Sequence, residues 1–491
     1  MTAPEKDDEA TLAEQSVDIS AKSAADEWAH HPDNPLGWSR AKKWRNVIIV
    51  SGTGFVSTAA STTLTPAVPE LMAQFDTQNR QLIILTTSLY VLGLGAGPFL
   101  FAPIAEARGR RPAYVSSMVC FTFIALGSSF TQSIGSLIAL RFLSGVFSSV
   151  GPGLGAASVS DCFAKEERGR PISLYALGPL LGPTLWSMLS FWIIRAGWRW
   201  SLRIVCFMGA ANLGMIVIGL NESYAPVLQR RLSLRDDVQP SETWSQKLTP
   251  SHKTRTLIKR TFSRPPRLLL TNPVAAFLAT FYAYLYGIIY LVLVSFPTLY
   301  GPADSSTGDL PHYSWPRRTT LGLAYSGLLL GFLTSATIAS VYQDRIYKRL
   351  SARTGGKGQP EYRLILTQIG VILLPIGLLI FGWSAEANTH WIVPQIGSFL
   401  FALGLMLAFN SIQNYIVDAF VPYSAAAMAG ATAARSVTGA ILPIFAEDMF
   451  KRLGWGLAGT LLAAIAAIAI PVPLLLLRYG QSLRERFAFV D

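Results

Sequence analysis

APIAEARGRR, residues 102–111, joins two apolar runs at 81–104 and 113–133, and an altered copy, SVYQDRIYKR, stands at 340–349. In each an acid, Glu106 or Asp344, is followed four and five places later by two bases: Arg110 and Arg111, or Lys348 and Arg349. Chance easily supplies one such stretch. Two at equivalent places suggest a chain made of two repeated halves. Outward from these loops, apolar runs of about 20 residues, the length that crosses a bilayer as a helix, fall near 46–65, 81–104, 113–133, 135–160, 172–194, 202–220, 273–299, 320–342, 364–384, 391–415, 423–446 and 455–477. The expected fold class is therefore an all-α membrane protein with twelve transmembrane helices in two six-helix bundles.

Composition agrees. Over 491 residues, 51% are hydrophobic and 14% charged, against about 25% charged in soluble domains, which excludes an ordinary soluble enzyme. The net charge of +12 is not arranged as a basic stripe with interleaved aromatics, so no nucleic-acid partner is expected. It follows membrane topology instead. Of the 41 Lys and Arg, 31 lie in segments on one side of the spans and 8 on the other, while Arg141 and Arg435 fall inside spans. Basic residues collect on the cytoplasmic side, which predicts that both termini are cytoplasmic. The expected organisation is a largely disordered cytoplasmic tail (1–45), a first bundle (46–220), a cytoplasmic loop (221–272), a second bundle (273–477) and a short cytoplasmic tail (478–491). Residues 1–40 hold nine acids and no apolar core, unlike a cleaved signal peptide. Cys120, Cys162 and Cys206 imply no disulfide framework.

Several stretches resemble the major facilitator superfamily, and within it the fungal drug:proton antiporters with twelve spans, which include multidrug, polyamine and secondary-metabolite exporters. APIAEARGRRP (102–112) is similar to that group's signature between spans 2 and 3, RFLSG (141–145) to its span 4 signature, and GPLLGP (178–183) to its antiporter motif in span 5. NPLGWSRAKKW (34–44), GWRWSLR (197–203) and ESYAPVL (222–228) add further likeness, so the resemblance covers nearly everything beyond residue 33. It implies secondary active export of a small organic substrate by proton antiport, from the plasma membrane, by a monomer that needs no cofactor and is not an enzyme. Where the family usually continues into a Gly-Gly pair, this chain has Trp186 and Ser187, which changes packing or narrows the cavity.

Arg141 and Arg435 are the charges deepest in apolar runs, where a cation needs a partner or a wet cavity. Each either takes part in transport or bonds carbonyls freed by a broken helix; the resemblance associates Arg141 with proton coupling. No acid lies within four residues of Arg435, so its partner must be another helix, water or an anionic ligand. That opens a second reading, an organic-anion carrier. Asp161 and Asp418, at helix ends, are the available proton-carrying carboxylates or else ordinary surface charges. Glu106, Arg110, Arg111, Asp344, Lys348 and Arg349 suit a gating latch, with plain topological anchoring as the simpler alternative for the bases. Gly178, Pro179, Gly182 and Pro183 mark a flexing element or a static kink.

Tyr282, Tyr286 and Tyr290, at i, i+4 and i+8, share one helix face and either line a cavity or pack a neighbour. Asn410, Gln413 and Asn414 are further polar candidates for ligand contact or interhelical bonding. There is neither a nucleotide-binding Gly-Lys-Ser/Thr loop nor metal-ligand spacing. From another class, a transporter-like membrane sensor remains an alternative.

Overall fold

A computed structural model describes Trp28 and residues 30–164, 167–236, 263–301, 310–313, 320–353, 358–420 and 424–487. Most of the expected amino-terminal tail, residues 237–262 of the central loop and residues 488–491 lie outside the described residues. Among the described residues there are helices and turns but no strand.

Among the described residues, ten helical stretches are long and apolar enough to cross a membrane. Two more spans follow from local chemistry. Arg110–Ser128, 19 residues long, opens on two arginines that lower its mean hydropathy. The last stretch, Ala426–Arg486, has 61 residues, about three bilayer thicknesses at 1.5 Å per residue, and it breaks at Gly454, where φ is 72°. The first bundle is thus α1 (Arg40–Ala59), α2 (Arg80–Arg108), α3 (Arg110–Ser128), α4 (Ile134–Ser148, continued as Val150–Ser160), α5 (Gly169–Ile193) and α6 (Trp198–Gly219). The second is α7 (Pro273–Tyr300), α8 (Ser326–Arg353), α9 (Ile365–Glu386), α10 (Ile392–Ala419), α11 (424–453) and α12 (455–467, followed by Val472–Arg486). Within the stretch read as a polar loop stand two further helical segments, Ala225–Asp236 and 263–271.

Side-chain caps start several spans: Asn79 accepts from the Leu82 amide, Ser133 from Ser136 and Asn272 from Ala275. Each satisfies a donor that the first helical turn leaves orphaned. Gly109, with φ 104°, turns the chain sharply from α2 into α3. That left-handed conformation suits glycine, and a Cβ there would strike the carboxylate of Glu222.

In the first bundle α1 packs on α5, α2 on α4 and α3 on α6; in the second α7 packs on α11, while α8 and α9 both pack on α10. Small residues permit close approach: a Cβ on Gly145 would lie 3.1 Å from the Cα of Gly93, and one on Gly377 would lie 2.7 Å from the carbonyl oxygen of Gly397. The bundles meet along α2–α11 and α5–α8. Phe123, Phe207 and Ile218 point outward, exposed, as lipid-facing side chains should.

Candidate functional site

Between the bundles lies a cavity of about 360 Å³ lined from α1, α2, α3, α4, α5, α7, α10 and α11. It runs from the helix ends on the side of the chain termini, where Glu106, Arg110, Asp161 and Arg168 form its mouth, inward to Tyr282, Tyr286, Phe409 and Arg435. A second, apolar hollow of about 700 Å³ lies along α2 and α11, lined by Leu92, Phe99, Leu100 and Arg108 among others, and shares no lining residue with the first.

Arg435 is 8% exposed. Its Nη1 donates a long hydrogen bond, 3.4 Å, to the hydroxyl of Tyr282, which in turn donates to Oε1 of Gln413 at 3.3 Å. The guanidinium carbon lies 4.8 Å from the ring centroid of Tyr286, 5.7 Å from that of Tyr282 and 5.9 Å from that of Phe409. Tyr282 and Phe409 are themselves stacked, with centroids 4.1 Å apart. The rings stabilise the cation through their quadrupoles, yet Nε has no hydrogen-bond partner among the described residues.

At the mouth, Nε of Arg110 binds Oδ2 of Asp161 at 3.0 Å, and its guanidinium sits 4.7 Å from the ring of Tyr224. Glu222 accepts from the backbone amides of Arg110, 2.8 Å, and Arg111, 3.0 Å, placing a negative charge at the amino end of α3 where the helix dipole favours it. Burial pushes the Asp161 carboxyl above its usual range, and outweighs the opposing pull of Arg110 and Arg168.

The second bundle repeats this network with a different base. Arg363 binds Asp344 through Nη1 at 3.1 Å and Asp418 through Nε at 3.2 Å, while Arg484 forms a bidentate pair with Glu361 at 2.9 and 3.1 Å. The bases expected beside Asp344, Lys348 and Arg349, are exposed on α8. The difference has a simple cause. After Glu106 the helix stops at Gly109, so Arg110 opens the next helix; after Asp344, α8 continues to Arg353. The spatial counterpart of Arg110 is therefore Arg363, near the start of α9. Asp344 also abuts Gly169, the first residue of α5, where any Cβ would collide with its carboxylate.

On the side away from the termini the bundles are joined. The hydroxyls of Ser61 and Tyr290 lie 2.9 Å apart, Arg80 pairs with Glu447 at 3.1 Å, and Gln81 donates to Asp448 at 2.9 Å. Tyr290 links this junction to the cavity through Tyr286, with 3.4 Å between the hydroxyls.

Arg141, 2% exposed, is not a cavity residue. It donates to the carbonyls of Thr86, 3.2 Å, Ala60, 2.6 Å, and Ser61, 3.0 Å, two of them where α1 gives way to a 3-10 turn, and lies over the ring of Tyr90 at 4.3 Å. Gly178 and Gly182 place α5 directly against the α1 backbone at Ser51, Phe55 and Ala59, and Pro179 packs on Gly54. Pro183 offers its carbonyl to Thr62 at 3.1 Å. Trp186 is buried in the core outside the cavity wall, so it does not narrow that space. Asn410 is buried off the cavity, while Gln413 and Asn414 line it.

A sequence profile of the Major Facilitator Superfamily matches residues 50–442. The chain belongs to this superfamily. Its relatives include the MFS-type transporter tndD of Aspergillus flavipes, 34% identical over 93% of this chain and 84% of that protein. The efflux pump radE of Floropilus chiversii is 33% identical over 93% of this chain and 84% of its own length. The xylose transporter XylE from E. coli, solved in a partially occluded inward open conformation, superposes with a TM-score of 0.62 over 89% of this chain and 98% of XylE at 16% identity, which shows the fold alone. The protein is a multi-pass major facilitator transporter, not an enzyme.

Within that superfamily fold, Glu222, Arg363, Glu361 and Tyr224 escaped the sequence reading because their partners lie on other helices. Only one signal pointed to them: Glu222 and Tyr224 fall in the ESYAPVL stretch that resembles the family.

Proposed function

We propose that the protein exports a small organic compound across the plasma membrane in exchange for protons, by alternating access of its two bundles, acting as a monomer with both termini in the cytoplasm. One observation supports this above others: a single cavity holds an incompletely bonded guanidinium at its inner end and two carboxylates, Glu106 and Asp161, at its mouth. A substrate entering from the terminal side reaches Arg435, while Asp161, buried beside Arg110, is suited to exchange a proton at the water-accessible end. The excess of Lys and Arg on the terminal side supports a cytoplasmic mouth, and a relative named as an efflux pump supports export. A second reading, an organic-anion exporter, is favoured by Arg435 having no carboxylate partner among the described residues.

Proteoliposomes loaded with a panel of cationic, neutral and anionic fluorescent compounds test the proposal. A proton gradient imposed against the substrate flux should accelerate release of at least one compound, and a protonophore should abolish the acceleration. Release unaffected by collapse of the gradient means facilitated diffusion or another exchange.

A further inference from the structure

We infer that the inner end of the cavity is a binding site for planar aromatic anions, with the acid group on Arg435 and the ring stacked among Tyr282, Tyr286 and Phe409. The inference rests on the transporter reading of this cavity and adds a substrate class to it.

Three observations converge. First, Arg435 is a permanent cation in a nearly dry position, yet its described partners are a hydroxyl and three ring faces. The rings make a buried charge tolerable without neutralising it, and Nε retains an unused donor. A buried N–H without an acceptor is costly, and a carboxylate or phenolate oxygen removes that cost with a charge-assisted bond. Second, the same rings line the cavity, and Tyr286 and Phe409 lie within 25° of parallel. They present flat, polarisable walls to a flat ligand. Third, the acids of the cavity stand at its mouth rather than beside Arg435, and Asp161 is paired with Arg110. A cationic ligand at the inner end would face like charge at low dielectric, with no anion beside it among the described residues of the cavity wall to offset it. Gln413 and Asn414, also in the wall, add neutral amide donors. The volume of about 360 Å³ falls within the range of small-molecule sites.

Equilibrium binding to the full-length protein in nanodiscs, with no gradient present, tests this with four probes of matched shape: 2-naphthoate, its neutral amide, 2-naphthylmethylammonium and the non-planar decalin-2-carboxylate. 2-Naphthoate should bind at least about tenfold tighter than the amide, from a charge-assisted bond, and tighter still relative to the ammonium. It should also exceed the decalin carboxylate severalfold. Arg435→Gln should erase the preference for the anion, Arg435→Lys should retain part of it, and Tyr286→Leu should erase the preference for the planar ring. An amide that binds the wild type as tightly as 2-naphthoate overturns the inference without recourse to any variant. So does a folded Arg435→Gln protein that keeps the anion preference. Selective binding combined with transport that ignores a proton gradient overturns only the antiport proposal; proton-coupled transport without anion selectivity overturns only this one.

Discussion

Arg363 occupies in the second bundle the position that Arg110 occupies in the first: each lies near the start of an outer helix and reaches an aspartate just at or before the end of an inner one, Asp418 at 3.2 Å and Asp161 at 3.0 Å. The two pairs brace corresponding corners of the terminal side, where the alternating access proposed above requires the bundles to move. Breaking a largely buried pair leaves an uncompensated charge. Arg110→Gln and Asp161→Asn should each lower the efflux rate, and the double variant should be no worse than the poorer single one, since both remove the same interaction. Additive losses in a proteoliposome efflux assay would show that the pair does not act as a unit.

Asp161 also sets an expectation for pH. Burial holds its folded-state pKa above the ordinary value of 3.8, so the folded protein binds this proton more tightly than the unfolded chain. The associated stability is fully present below the unfolded pKa and is lost as pH rises through the raised one. Asp161→Asn removes the titration. In detergent, the difference in Tm between wild type and Asp161→Asn should therefore fall as pH increases across that window, and a difference independent of pH would contradict the assignment.

The three carbonyl bonds of Arg141 predict a structural phenotype. Lysine cannot span the acceptors on Thr86, Ala60 and Ser61 with a planar fork, so Arg141→Lys should lose about 1–3 kcal/mol, visible as a lower Tm. Proton dependence per folded molecule should persist. A variant of normal stability whose efflux no longer responds to the gradient would return Arg141 to the coupling role that family resemblance suggests.

Gly178 and Gly182 predict a contrast between glycines. A methyl at either meets backbone atoms of α1, whereas one at Gly127 on α3 meets nothing within 4 Å. Gly178→Ala and Gly182→Ala should cost about 1–3 kcal/mol by overpacking and reduce the yield of folded protein. Gly127→Ala should be neutral or slightly stabilising. Equal yields for all three, read by size-exclusion chromatography, would exclude close packing as the reason for glycine in the span 5 motif.

Much of the architecture is legible in the sequence because the bilayer imposes one length and one polarity on every span. That holds even for α3, although Arg110 and Arg111 lower its mean hydropathy, and for α11 and α12, which the sequence separates near 447–454 and the chain breaks at Gly454. Arg141 and Arg435 announce themselves as charges inside apolar runs, but nothing in the chain says that one bonds carbonyls and the other lies among rings. The charge network is read less well. Equal spacing suggests Lys348 and Arg349 as partners for Asp344, while the helix geometry delivers Arg363, 19 residues further along. Ion pairs between helix ends depend on where each helix stops, and a residue of uncertainty in a boundary is enough to choose the wrong base.

Glu222 follows α6 directly, and its carboxylate closes back onto the amides that open α3. The ribosome makes the chain from its amino end at about 5–20 residues per second, so this clasp is available as soon as the first bundle has been synthesised. Its counterpart between Glu361 and Arg484 must wait for the end of the second bundle, on the order of tens of seconds later. During that interval the nascent first bundle can already hold its own corner together, offering a finished platform on which the second assembles. In each half the closing partner lies in or just beyond the last helix, a carboxylate at Glu222 in the first and a guanidinium at Arg484 in the second, so each corner is completed only when its own bundle has been made.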